Sequence, residues 1–281
     1  MSVTFRGVRR AGLAVALAAT LAGCGALNNR ASLPLENYSA EEIFERAEVE
    51  LERGRAEEAA RYFGEVERLY PYASIAKRAL IMQAYAFHRD RDYPASRGAA
   101  RRYIDFYPAD EDAAYAQYLI ALSYYDQIDE VGRDQRLTFE ALQALRTVIE
   151  RYPESEYARS SIAKFDLAFD HLAGKEMEVG RYYLRRGHHA AAISRFRVVV
   201  EDFQTTSHTP EALHRLVEAY LSLGLDAEAQ TAGAILGHNY RGTDWYEDSF
   251  ALLNGRGLEL EAASDGWLAQ VYRQVIRGEW L

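Results

Sequence analysis

The sequence predicts an all-α fold, in which about five antiparallel helix pairs stack into a right-handed superhelix and a helical tail follows. Three observations predict it. A pattern of small and aromatic residues returns along the chain and ends three times in Tyr-Pro. Only six of the 281 residues are proline, and Ala, Leu, Glu and Arg, all good helix formers, are abundant. A hydrophobic content of 49% with 12% aromatics is too apolar for a disordered chain, whereas the single cysteine excludes an intramolecular disulfide, a multi-cysteine zinc site and an iron–sulfur cluster.

The first element is not part of the array. Arg6, Arg9 and Arg10 precede an apolar run from Ala11 to Ala22, too short to cross a hydrocarbon core as a helix, which takes ~20 residues, and suited to the core of a secretory signal. It ends in Leu21-Ala22-Gly23-Cys24, which resembles the lipobox of bacterial lipoproteins. That resemblance implies removal of residues 1–23 and a diacylglycerol and N-acyl lipid on Cys24; the alternative is an ordinary signal followed by a free thiol. Gly25 stands where an aspartate would retain a lipoprotein in the inner membrane, so the implied destination is the inner leaflet of the outer membrane, facing the periplasm. Removal takes three basic residues and no acidic one, and moves the net charge from −9 to −12. So acidic a chain argues against nucleic acid as a partner. Residues 24–38 read as a tether. Ser39, three residues before Glu42, has the pattern of a reciprocal helix N-cap, and folded structure is expected to start there.

The repeat then sets the remaining elements. Tyr70-Pro71, Tyr107-Pro108 and Tyr152-Pro153 recur at intervals of 37 and 45 residues. Ala59, Phe63 and Pro71 fit the second-helix half of the tetratricopeptide signature; Ala141, Leu145 and Pro153 repeat it, and Ala192 with Phe196 carries it without the proline. A small residue followed three later by an aromatic marks first helices: Ala84/Phe87, Ala121/Tyr124 and Gly180/Tyr183. Gly54, Gly187 and Gly224 fit first-helix ends, where a left-handed residue is cheap. The expected units are 40–71, 77–108, 113–153, 156–204 and 208–240, each unable to bury its apolar face until stacked on a neighbour. The third carries an inserted linker, Ile128 to Arg136. The fourth is expected to begin with a long helix from Tyr157 to Arg186, interrupted near Gly174. In the tail after residue 241, Leu268, Val271, Tyr272 and Val275 form a narrow apolar stripe, and all three tryptophans, Trp245, Trp267 and Trp280, lie there. The tail either caps the open end of the array or docks a partner.

No phosphate-binding glycine loop, G-x-S-x-G or H-E-x-x-H occurs, and none of the seven histidines stands four residues from another. The neighbours His188 and His189 would diverge by ~100° on a helix and cannot share a metal well. Glu154-Ser155 resembles the catalytic pair of lytic transglycosylases, but behind Pro153 the serine reads as an N-cap. The expectation is a non-enzymatic protein without metal or cofactor, whose function lies on its surface. Counting from the small residues puts Phe44 of unit one on the groove-lining stripe, with Arg78, Ile81, Tyr85 and His88 of unit two, and Tyr115, Tyr118, Leu122 and Tyr125 of unit three. Such aromatics either recognise a ligand or pack between repeats. The same stripe further on carries Met177, Arg181, Leu184, then Glu211, His214 and Glu218, so the front of the groove is aromatic and the back is charged.

Lipobox, tether and repeats together resemble the BamD (ComL-type) outer-membrane protein assembly lipoproteins, through Glu67-Arg68-Leu69-Tyr70-Pro71-Tyr72, Tyr85-Ala86-Phe87, Gly132-Arg133-Asp134-Gln135, Arg151-Tyr152-Pro153-Glu154-Ser155-Glu156-Tyr157 and Val179-Gly180-Arg181-Tyr182-Tyr183-Leu184-Arg185-Arg186-Gly187. The likeness runs from Cys24 to about Arg241; the tail beyond and the shorter loop in unit three depart from it. It implies that the front units, 39–153, bind the C-terminal signal of unfolded outer-membrane β-barrel proteins. The back units, 154–241, would dock the periplasmic domain of BamA through Arg195, early in the second helix of unit four, and Arg181, alongside other Bam subunits. Other periplasmic tetratricopeptide lipoproteins serve pilus or secretin assembly, or coordinate envelope synthesis with division; these remain the alternative.

Overall fold

A computed structural model describes residues 34–261 and 265–277. The signal segment, Cys24, the tether up to residue 33 and Trp280 lie outside the described residues, as do the side chains of Tyr272 and Val275. Among the described residues there is no strand. Twelve α-helices follow a 3₁₀ turn at Leu35–Asn37: α1 (Ala40–Glu52), α2 (Ala56–Leu69), α3 (Ser74–Arg89), α4 (Tyr93–Phe106), α5 (Ala113–Tyr125), α6 (Arg136–Arg151), α7 (Glu156–Arg185), α8 (His189–Asp202), α9 (Thr209–Leu223), α10 (Asp226–Asn239), α11 (Asp244–Asn254) and α12 (Trp267–Arg277). Each helix from α1 to α10 packs on its successor, α12 packs on α10, and α1 also touches α3, α3 touches α5, and α5 touches α7. This is the predicted all-α array of helix pairs.

Packing starts one turn before Ser39. Leu35 and Tyr38 lie against the first core, and the Tyr70 hydroxyl donates to the Tyr38 carbonyl at 2.5 Å. The reciprocal cap is present: Glu42 N donates to Ser39 Oγ, and Ser39 N donates to Glu42 Oε2 at 2.8 Å. Ser155 caps α7 by accepting from Ala158 N at 3.1 Å.

The second helices share a register more regular than the prolines suggest. Tyr70, Tyr107, Tyr152, Phe203 and Tyr240 each follow a second helix, with φ between −125° and −132°. Eleven residues before each lies a small buried residue: Ala59, Ser96, Ala141, Ala192 and Ala229. Seven before lie Phe63, Ala100, Leu145, Phe196 and Gly233. In unit two the large side chain has moved one turn on, to Tyr103, where the other units carry valine or leucine. A buried phenol needs a partner, and the Tyr103 hydroxyl donates to Asp110 Oδ1 at 2.6 Å. Lys77 holds the other oxygen of Asp110, and these two bonds keep its carboxyl down at about 2. In unit five the position is a glycine, and the tail fills the space: a Cβ on Gly233 would lie 2.6 Å from Leu253 and 2.9 Å from Leu260.

That insertion identifies the tail as the cap of the array. Leu253, Leu268 and Val271 are buried in the core of the last two units, each stabilising by roughly 1.5–3 kcal/mol through removal from water. Trp267 Nε1 donates to the Tyr220 hydroxyl at 3.1 Å beneath the Arg197 guanidinium, and Trp245 lies 5.3 Å from the His214 ring.

Helix α7 runs unbroken for 30 residues, so the expected interruption near Gly174 does not occur. The glycine is there for proximity: a Cβ would stand 3.1 Å from His208 Nε2 and 3.7 Å from Val131. Its first half packs with α6 and α5, its second with α8 and α9, joining the two large cores. The linker between α5 and α6 is seated on α7, with Lys175 Nζ donating to the Gly132 carbonyl at 2.8 Å and Gln135 Oε1 3.1 Å from His171 Nδ1.

Sixteen residues before the aromatic caps lie Gly54, Arg91, Gly187 and Gly224, all with φ between 64° and 76°. Only Arg91 carries a Cβ into that region, at a cost of about 1 kcal/mol. Arg91→Gly is expected to raise the stability of unit two by about 0.5–1 kcal/mol, read as a higher urea midpoint. An unchanged or lower midpoint would contradict the assignment of strain there.

Candidate binding groove

The first helices α1, α3, α5 and α7 meet side by side, and the residues along their junctions form the candidate groove. Two of the sequence-predicted residues are not on it. Phe44 is 3% exposed, its ring edge-on to Phe63 at 5.1 Å; Arg78 covers it with a guanidinium 5.1 Å from the ring, held by Glu48 at 3.3 Å. Ile81 is 5% exposed and belongs to the central core. Both are apolar, and the neighbouring helix takes them into the core. Leu122 is half-buried.

The tyrosines come together. Tyr85, Tyr115, Tyr118 and Tyr125 are half-buried, each with one side against the central core. Two further members come from α7. Tyr157 lies 5.2 Å from Tyr115 and 5.3 Å from Tyr118, and Ser160 Oγ is 2.7 Å from the Tyr118 hydroxyl. Lys164 stands on the same face of α7, two turns after Tyr157. Sequence reasoning missed Tyr157 and Lys164 because unit four was counted outward from Gly180, in the second half of a helix twice the usual length. The spacing 157, 160, 164 would have revealed them.

Electrostatically the row favours donors. Burial, with the neighbouring phenols Tyr85, Tyr157 and Tyr118 adding to it, raises the Tyr115 hydroxyl well above the usual range. Burial and then Glu156 raise Tyr157. Both stay protonated and can donate to a ligand. His88 closes one edge, 3.2 Å from Asp126 Oδ2 and 5.5 Å from the Tyr93 ring. Burial lowers its pKa against the pull of Asp126, so the imidazole is neutral at pH 7.

The charged residues of the back units separate into two kinds. Arg181 forks onto Glu211, with Nε 2.8 Å from Oε1, and Arg215 reaches the same carboxylate at 3.4 Å. Burial pushes the Glu211 pKa up, but the bonds and charges of the two arginines together carry it below the usual range. Met177 and His214, on the same stripe, are buried. Arg195, by contrast, is exposed on α8, and its ion pair among the described residues is Nη1 to Glu176 at 3.1 Å. Among the described residues, no cluster of histidine, cysteine or acidic side chains could hold a metal, and no helix is long and apolar enough to cross a membrane.

Residues 36–235 match the YfiO family, described as outer membrane lipoprotein. Curated relatives similar to the chain carry the name outer membrane protein assembly factor BamD. One from Caulobacter vibrioides is 47% identical over 245 residues, covering 87% of this chain and 80% of the relative. One from Rickettsia prowazekii is 41% identical, covering 72% and 81%. One from Neisseria meningitidis serogroup A is 28% identical, covering 81% and 90%.

Proposed function

The chain belongs to the YfiO family of outer membrane lipoproteins, and from that premise we propose that it is a non-enzymatic scaffold of β-barrel assembly. Its front units hold the C-terminal signal of an unfolded outer-membrane protein. Its back units dock the periplasmic domain of BamA through Arg195, beside other Bam subunits. A lipidated Cys24 fixes the array to the inner leaflet; several acyl chains, at ~0.8 kcal/mol per buried CH₂, anchor far more firmly than one.

The observation that carries this reading is the row of half-buried tyrosines across α3, α5 and α7. Protonated hydroxyls and aromatic faces suit an extended segment with aromatic side chains, whose alternate residues enter side-chain pockets. The chemistry asked of the scaffold is proximity. Substrate held at one end and insertase at the other raise each other's effective concentration, so each contact can be individually modest.

A fluorescent ten-residue peptide ending in phenylalanine is expected to bind the mature chain, and Tyr118→Ala to weaken it at least tenfold with helicity unchanged. Equal affinity for both proteins would remove the groove from the reading. From membranes, the full chain should co-purify with BamA, and Arg195→Glu should abolish this; recovery of a secretin ring instead would favour the alternative class. Cys24→Ala should move the protein to the soluble periplasmic fraction, and retention at the membrane would sink the lipid anchor.

A further inference from the structure

We infer that Lys164 determines specificity in this groove by receiving the terminal carboxylate of a polypeptide whose last residue is aromatic. The inference rests on the proposed groove and adds to it the chemical end at which a ligand is read.

Lys164 is a cation without a counter-charge. Lys77 pairs with Asp110, Arg181 with Glu211 and Arg195 with Glu176, but Lys164 makes no ion pair among the described residues. Its only hydrogen bond there is to Ser160 Oγ at 3.2 Å. In a chain with 42 acidic residues against 33 basic ones, a half-buried lysine with no carboxylate beside it is conspicuous. The tyrosines do not occupy it either. Its Nζ lies 5.8 Å from the ring centroids of both Tyr118 and Tyr125, at the outer limit of a cation–π contact of about 6 Å. Of the three ammonium donors, two are left to face an incoming group, with aromatic walls on either side. The ligand that satisfies this arrangement carries a negative charge next to an aromatic ring.

Position selects a chain end over an internal acid. The acidic groups of the row, Asp112 and Glu156, act on Tyr115 and Tyr157, and Glu156 stands about two turns of α7 before Lys164. The next first helix, α9, meets α7 along its second half, where the Arg181–Glu211 fork and the core of Met177 and Leu213 close the junction. Immediately past Lys164 the inner face of α7 is sealed: Ala168 and Leu172 are buried, and Ile128 of the seated linker packs there with Phe165 and Phe169. An extended chain laid along the tyrosines therefore ends at Lys164. A point-charge ammonium accepts a carboxylate without demanding the planar register of an arginine fork.

The test uses the mature chain and three fluorescent ten-residue peptides ending in phenylalanine: the free acid, the C-terminal amide, and the amide with glutamate at the penultimate position. The free acid should bind wild type about tenfold tighter than the amide. Lys164→Met should bind the acid as weakly as wild type binds the amide, and should no longer distinguish the two, while its thermal unfolding stays unchanged. Lys164→Arg should keep most of the discrimination. Equal affinity of wild type for acid and amide overturns the inference and leaves the groove intact. Recovery of full affinity by the penultimate glutamate also overturns it, in favour of an internal acid. Failure of every peptide to bind wild type overturns the groove itself.

Discussion

Gly180→Ala is expected to destabilise the back half of the array by about 1–3 kcal/mol, although alanine is the better helix former by about 1 kcal/mol. The residue sits mid-helix in α7, and a Cβ built on it would lie 2.4 Å from Phe196 Cε1 and 2.8 Å from two further ring atoms. The ring cannot give way. Phe196 is fully buried among Ala192, Val199, Leu213 and Leu216, in an interior packed at crystal-like density. Equivalent first helices carry Ala84 and Ala121 at this place, opposite Ser96/Ala100 and Ala141/Leu145, smaller side chains that leave room for a methyl group. Unit four combines the smallest residue on one helix with the largest on its partner. Phe196→Ala alone should cost about 3–5 kcal/mol. The double variant Gly180→Ala/Phe196→Ala should cost less than the two single losses together, because the clash disappears with the ring. Urea unfolding followed by circular dichroism reads all three. Strict additivity would mean that the two residues do not oppose one another.

This pairing shows how much of the fold the sequence already carried. Gly180 and Phe196 both stand in the periodic pattern, as do the left-handed glycines, the Ser39 cap and the unit boundaries. Local chemistry dictates each of them: a size, a φ or a cap. What the pattern could not supply was anything decided by a neighbour from elsewhere in the chain. Phe44 and Ile81 sit at groove positions by counting, yet the adjacent helix and Arg78 cover them. Unit two hid its large core residue because Tyr103 lies one turn out of column, stabilised by Asp110 from the next loop. The role of the tail depended on Gly233, whose missing side chain Leu253 and Leu260 replace. Tyr157 and Lys164 were lost because α7 is two helices' length fused into one, with its first half serving unit three and its second half unit four.

The same distinction between a residue's own chemistry and its neighbours separates the two arginines of the back units, and gives them different expected responses. Arg181→Met should lower stability by about 1–2 kcal/mol. Truncating one partner of a buried ion pair leaves a desolvated charge behind, which can cost 3–5 kcal/mol. Here the loss is smaller, because Arg181 is a third exposed and Arg215 still reaches Glu211. The effect carries a pH signature. Glu211 has a folded pKa below its unfolded value, so its contribution is complete above the ordinary carboxylate pKa and disappears as pH falls through the depressed one. The gap between wild type and Arg181→Met should therefore hold from neutral pH down to the ordinary carboxylate range and narrow below it, as the pH falls through the depressed pKa of Glu211. Arg195→Ala, at an exposed position paired with Glu176, should change stability by less than about 0.5 kcal/mol at any of these pH values. A loss of BamA co-purification in Arg195 variants then reports an interface, whereas a loss in Arg181 variants reports a loosened junction between α7 and α9. Unfolding midpoints that move equally for both would show that Arg181 is no more embedded than Arg195, and would return it to the docking surface.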